Sequence, residues 1–381
     1  MHIAFLTPEY PHKLSTASGG LGTSIQNVAN ALIKYNIQVS IFVYGQKQSL
    51  VVEEDGINFH FIAQQKYPVL GWYFYRKYLQ KYINNSILAD QIDLLEVPDW
   101  TGISALMEIE CPVVMRLNGS DAYFCHLEGR KQKFKNRFFE KKAFKNADAI
   151  ISVSDFTGKT TNNVFRVKNE YTVIPNSVDA NIFLPSTSLI KENTILYFGT
   201  IIRKKGVLEL AEIFNHIVVK KPESRLILVG RDVVDILERN STFKLFKEKL
   251  TEEAKEKIHF LGVIPYREIA EEIKKASVVV LPSFAEALPM TWLEAMAMEK
   301  AMVTSNIGWA QEVMIDGETG YTLNPKRHLE YADKIIQLIE NPRLRLEFGR
   351  NARKRILHKF DAQVVADKNI KFFEDILKNS N

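Results

Sequence analysis

Short apolar runs alternate with stretches of helical spacing along the whole chain. Residues 3–6, 38–43, 58–62, 94–97, 113–117, 149–153 and 172–174 read as strands, because each is a brief apolar run between polar or turn residues. Between them, 23–35 and 73–88 repeat their apolar positions every three or four residues, which predicts helices. A second series of strands is predicted at 194–198, 225–229, 258–261, 278–281, 301–304 and 320–323. Repeated strand–helix alternation predicts parallel sheets covered by helices on both faces. Two such series predict two doubly wound α/β domains. The break between them falls in 175–193, which holds two prolines and little periodicity. From 360 to 377 the spacing is helical again.

Open parallel sheets bind ligands outside the carboxyl ends of their strands, so strand ends are where chemistry is sought. The most informative is at 277–297. An apolar run to Leu281 leads into a loop carrying Glu286, and a helix is predicted to open around Pro289, a residue favoured early in helices. Glu294 follows Glu286 with seven residues between them. The N–H groups at a helix start attract phosphate. Carboxylates on either side of it suit the hydroxyls of a sugar and a ribose joined by a diphosphate. The bare pattern also fits an ordinary strand–loop–helix with surface glutamates.

Two other strand ends carry candidates. Gly19, Gly20 and Gly22 are expected in the loop after the first strand, just before a helix, where glycine lets the backbone approach a ligand closely. Lys205 precedes Gly206 at a predicted helix start and could set an ammonium beside a diphosphate. No G-x-G-x-x-G follows the first strand, which argues against a dehydrogenase.

Composition narrows the class. With 381 residues, 46% hydrophobic and 25% charged, the chain is long enough for two globular domains. Two cysteines, Cys111 and Cys125, are too few for a disulfide framework and match no metal spacing, and a cytoplasmic location is expected. The N-terminus lacks the marks of a signal peptide, and no apolar run is long enough to span a bilayer. The net charge of +5 is unevenly spread. Residues 130–145 hold eight Lys or Arg and a single acid, Glu140, while 66–82 hold four basic residues, no acid and seven aromatics. Such stretches suit an anionic membrane surface or acceptor, or else a solvated helix face with its aromatics in the core. Nothing accompanies the charge that would mark a nucleic-acid binder. No D-x-D sits at a strand end and no His/Asp cluster has ligand spacing, so no metal is expected.

Five segments in chain order resemble retaining glycosyltransferases of family 4, which have the two-domain GT-B architecture. They are Gly19-Gly20-Leu21-Gly22, the run Val173 to Asp179, Tyr197-Phe198-Gly199 through Lys205-Gly206, the Glu286–Glu294 segment, and Glu312-Val313 with Asp316 to Gly320. The resemblance implies two Rossmann-like domains facing across a cleft. An acceptor-side domain would span 1–183, with a helix at 360–381 packing back on it, and a nucleotide-sugar domain would span 184–359. It implies a nucleotide diphosphate sugar as substrate and no further cofactor. Glu286 would lie beside the transferred sugar and Glu294 would bind the ribose. The Leu288, Pro289, Met290 and Thr291 stretch would hold the distal phosphate through its N–H groups, and backbone around Gly262 and Val263 would read the base. The Gly19–Gly22 segment would meet the diphosphate when the cleft closes, and Lys205 would offset the leaving group's charge. Because the basic stretch 130–145 and the aromatic stretch 66–82 fall in the domain that the resemblance makes the acceptor side, a surface glycan or a lipid-linked glycan is expected as acceptor, with a cytoplasmic protein peripheral to the inner face of the membrane.

Two positions depart from the family pattern. Thr200 stands where relatives have the arginine that assists Lys205, and Arg203 is the nearby substitute. Asn118 stands where many relatives have a histidine that touches the donor sugar; an amide can hydrogen-bond a sugar but cannot carry a proton near neutral pH. Asn118 before Gly119 also fits a plain turn, and Asp121 is the acceptor-side candidate. Three functions are therefore carried forward: a transferase, an isomerase of the sugar-nucleotide 2-epimerase type, and a relative that binds nucleotide sugar without turnover.

Overall fold

The computed structural model describes residues 1–16, 18–186 and 190–380. The chain forms two compact units, Met1–Ser177 with Ala362–Asn381, and Val178–Asp361. The changes of unit thus fall at 177/178 and 361/362, against 183/184 and 359/360 expected from the sequence. Residues 187–189 of the expected break lie outside the described residues.

Unit 1 is built on β1 (His2–Thr7), β2 (Gln38–Gln46), β3 (Leu50–Glu54), β4 (Ile57–Ala63), β5 (Leu94–Pro98), β6 (Val113–Leu117), β7 (Ala149–Ser152) and β8 (Thr172–Val173). Among the described residues these form one sheet in the order β3-β4-β2-β1-β5-β6-β7-β8. β1 lies at its centre, with Ile3 opposite Val39 on one side and Leu94 on the other. All six residues of β1 are buried, because helices cover both faces. On one face Ile25, Val28 and Leu32 of the helix Gly20–Ile33 meet Val365 and Phe373 of the terminal helix Ala362–Ser380. On the other, Tyr75, Leu79 and Ile83 of the helix Gly71–Asp90 pack on Leu6, Phe42 and Leu117. Arg116 makes a buried two-pronged pair with Glu96 at 2.7 and 2.8 Å and donates to Asn369 Oδ1 at 2.6 Å. This joins β6, β5 and the terminal helix; removing one partner of such a pair costs about 3–5 kcal/mol.

One strand runs against the expected pattern. β3 is antiparallel to β4, at the sheet edge. The two are joined through Asp55 and Gly56, both at positive φ (53° and 76°), the backbone of a tight hairpin turn.

Unit 2 is built on β9 (Thr194–Phe198), β10 (Arg225–Val229), β11 (Ile258–Gly262), β12 (Val278–Leu281), β13 (Met302–Ser305) and β14 (Tyr321–Leu323). They form a parallel sheet ordered β11-β10-β9-β12-β13-β14. The chain enters and leaves this unit at neighbouring points. Val178 bridges to Asp361 and donates its N–H to the carbonyl of Phe360 at 2.9 Å.

Candidate functional site

In unit 2 the candidates converge beyond the carboxyl ends of β9 and β12. After β9 the chain turns at Gly199, with φ of 135°, and reaches the short helical turn Arg203–Lys205. Gly206 ends that turn at φ 70°, and a Cβ there would lie 1.9 Å from the carbonyl oxygen of Pro282. Only glycine allows this approach. The Phe284 N–H donates to the Lys204 carbonyl at 2.8 Å, so the loop after β12 is fastened to the loop after β9. Lys205 Nζ is thereby held 3.2 Å from Glu286 Oε1, which also accepts from Ser283 Oγ at 3.1 Å.

The helix after this loop is Met290–Ala297, one residue later than expected. Pro289 is its N-cap, with extended backbone, rather than a helical residue. Having no amide hydrogen, Pro289 can shape an anion site but cannot donate to it. The N–H groups of Met290 and Thr291 belong to the first turn, where no intrahelical acceptor exists. Glu294 is buried on this helix and accepts from Tyr266 Oη at 2.7 Å. Burial pushes its carboxyl up to about 7, against the opposing pull of Tyr266 and Lys205. Tyr266 was not singled out from the sequence, where it is one aromatic at a helix start. A Cβ on Gly262 would meet nothing within 4 Å, and Val263 is exposed.

Arg203 is placed differently from its expected role. Its guanidinium grips Asp235 with two bonds, at 2.7 and 3.0 Å, and lies 3.8 Å from Glu238. The substitute for the arginine missing at Thr200 is thus already engaged.

In unit 1 the glycine segment is also corrected. The helix begins at Gly20, so Gly20 and Gly22 lie in its first turn and Gly19 is its N-cap, not a loop ahead of residue 23. The cause lies outside the segment. Glu9 accepts the Gly22 N–H at 3.0 Å, and a Cβ on Gly19 would stand 2.9 Å from Glu9 Oε1. A Cβ on Gly22 would stand 3.0 Å from the Tyr10 Cα, so glycine is needed there for packing. A carboxylate therefore caps this helix start.

Asn118 and Asp121 are held from beneath by two buried acids. Asp99, at the end of β5, accepts the N–H groups of Asn118 at 3.2 Å and Gly119 at 3.0 Å. Glu140 accepts those of Thr101, Asp121 and Ala122 at 3.0–3.1 Å and the Gln132 side chain at 2.7 Å. Burial, and then the nearby Glu140 charge, push the Asp99 carboxyl up to about 8; burial also raises Glu140. Asp121 Oδ2 accepts from Asn136 Nδ2 at 3.2 Å. Neither acid was singled out as a site residue. Glu140 had counted only as the one acid in a basic run, and that isolation is the signal that it points inward. Among the described residues, no group of three His, Cys, Asp or Glu could hold a metal, and no helix is long and apolar enough to cross a membrane.

Comparison with known proteins follows the same division. The model for Glycosyltransferase Family 4 matches residues 18–182, and that for Glycosyl transferases group 1 matches 183–355. The chain is 28% identical over 196 residues to the capsular polysaccharide biosynthesis glycosyltransferase CapM of Staphylococcus aureus, covering 50% of this chain and 49% of that one. It is 27% identical over 214 residues to the N,N'-diacetylbacillosaminyl-diphospho-undecaprenol alpha-1,3-N-acetylgalactosaminyltransferase of Campylobacter jejuni, covering 56% and 53%. The chain thus spans about half the length of these curated relatives. In structure it is similar to the sucrose-phosphate synthase of Thermosynechococcus elongatus, with a TM-score of 0.81 over 99% of each chain at 18% identity. With two adjoining models matching 18–355 and a fold shared over its whole length, the chain belongs to glycosyltransferase family 4 and has the GT-B fold.

Proposed function

We propose that this protein is a retaining glycosyltransferase that moves a sugar from a nucleotide diphosphate sugar to a hydroxyl acceptor without a metal. The observation that carries the reading is the Lys205–Glu286 pair, set beside the start of the helix that bears Glu294. In this reading the ribose hydroxyls donate to Glu294, and the Met290 and Thr291 N–H groups take the distal phosphate. Lys205 faces the charge that grows there as the leaving group departs. The bond from the anomeric carbon to the diphosphate oxygen breaks. The acceptor oxygen bonds to the same face of that carbon, and its proton leaves with the diphosphate. Glu286, holding Lys205 in the free protein, turns to the sugar once the diphosphate takes over the ammonium. The named relatives in capsular polysaccharide and undecaprenol-linked glycan synthesis support a surface glycan or lipid-linked glycan as acceptor.

A second reading has a specific observation behind it. Thr200 removes one cationic partner of the diphosphate, and Arg203 is engaged by Asp235, which favours a relative that binds donor without turnover. NMR of the protein with UDP-, GDP- and ADP-sugars, each with a panel of glycan and lipid-linked glycan hydroxyl acceptors, tests both. Nucleotide release with retained anomeric configuration is the expected result. Binding without release would replace it with the non-catalytic reading, and interconversion of the donor sugar alone would identify an epimerase-type enzyme.

A further inference from the structure

The two stretches that stood out separately in the sequence, 66–82 and 130–145, form a single surface in unit 1. Their rings stand in file. Centroid distances are 5.6 Å from Tyr67 to Phe74, 5.5 Å to Tyr73, 5.9 Å to Trp72, 5.0 Å to Phe139 and 5.3 Å to Phe138. The file crosses from the start of the helix Gly71–Asp90 to the helix Phe134–Asn146. Phe139 anchors it in the core, under the Arg76 guanidinium at 4.2 Å. Other rings face outward: Phe74 in the file is 44% exposed and Phe138 at its end 49%, and Phe134, one turn before Phe138 on the same helix, is 84% exposed. Val69 and Leu70 extend the exposed apolar edge, and Leu70 sits at φ 48°, a strained backbone for a leucine.

Charge decides what covers this ridge. Lys66, Lys131, Lys133 and Lys135, within one to three residues of Tyr67 or Phe134 in the chain, are exposed, and the Lys135 ammonium lies 5.6 Å from the Trp72 ring centre. The one acid of the two stretches, Glu140, is turned inward onto backbone N–H groups. The outer face of the two stretches therefore carries lysines and no acid. Protein interfaces are depleted in lysine, whereas surfaces that lie on membranes pair aromatic rings with lysines.

We propose that unit 1 docks on an anionic lipid bilayer through this aromatic ridge, with Phe74, Phe134 and Phe138 entering the headgroup region and the surrounding lysines facing lipid phosphate. The ridge deepens the reading of a lipid-linked acceptor, since it would bring unit 1 to the surface where such an acceptor lies. Its test needs neither donor nor acceptor, so the failure of one reading leaves the other standing.

The test is sedimentation with vesicles of phosphatidylglycerol and phosphatidylcholine, and with phosphatidylcholine alone. The whole chain is expected to bind the anionic vesicles and not the neutral ones. Phe134→Ser with Phe138→Ser is expected to weaken binding by roughly tenfold per residue even at low salt. Reversing Lys131, Lys133 and Lys135 to Glu is expected to weaken it by at least about fivefold per residue, with the loss shrinking as salt rises. All these positions are exposed, so the variants are expected to fold, which circular dichroism checks. The proposal is overturned if the wild type stays in the supernatant at low salt, or if the phenylalanine variants sediment like the wild type. It is also overturned if light scattering shows a self-association that those variants abolish, which would make the ridge a protein interface.

Discussion

Tyr266 Oη donates to Glu294 Oε1 at 2.7 Å, between the first residue of one helix and the middle of another. The carboxyl it meets is buried, and burial holds it near neutrality rather than in the ordinary acidic range. A phenol hydroxyl thus sits on the group proposed to bind ribose, and it prepares that group in two ways. It fixes the carboxyl's rotamer, and it favours the ionised form that ribose hydroxyls need.

Glu294→Ala should weaken binding of the cognate nucleotide by about 1.5–3 kcal/mol, the range for hydrogen bonds to a charged group. Titration calorimetry reads this directly, and unchanged affinity would remove Glu294 from the site. Because its pKa stands at about 7, affinity should also rise between pH 6 and 8 as the carboxylate forms. Glu294→Gln is the reference, since the nucleotide phosphate titrates alike in both proteins. A pH dependence equal in the two would sink the linkage.

Asp99 gives a stability prediction with a definite sign. Its folded pKa, at about 8, lies above the unfolded value near 3.8, so the folded state binds more protons in between. That contribution to stability is fully present below the unfolded pKa and is lost as pH rises through the folded one. Urea unfolding should show the wild type losing stability from about pH 4 to 8 relative to Asp99→Asn, which cannot ionise. A constant difference between the two proteins would mean that Asp99 ionises freely.

Lys205→Ala should slow transfer by roughly 100- to 1,000-fold, the effect of losing one preorganised charge-stabilising group. Excess EDTA should leave the wild-type rate nearly unchanged. A rate that collapses in EDTA and recovers with magnesium would overturn the metal-free proposal.

Asn118 is tested by three proteins. If it holds the donor sugar, Asn118→Ala lowers turnover while changing the affinity of free nucleotide less, because free nucleotide lacks the sugar. Asn118→His keeps or raises activity if the loop, which Asp99 holds here, has the relatives' geometry. Equal rates and affinities for Asn118→Ala and wild type would make Asn118 a turn residue.

Much of this protein was legible locally. The strands at 113–117, 194–198, 225–229 and 278–281 match their apolar runs residue for residue, because buried parallel strands need little but such a run between turns. The placement of the Glu286–Glu294 segment after β12 and of the Lys205-Gly206 step after β9 was legible for the same reason: each follows an apolar run within a few residues. Asp55-Gly56 was a readable hairpin signal, but β3 shows mixed exposure at a sheet edge, so its apolar pattern was weak. What only the tertiary structure decided was where charges go. Glu9 starts a helix at Gly20, Glu140 turns inward to three N–H groups, Arg203 is engaged by Asp235, and Tyr266 meets Glu294. Periodicity and turn chemistry act between near neighbours in the chain. A buried carboxylate must instead take whichever donors the packed fold brings to it, and those lie 13 to 39 positions away in these four cases.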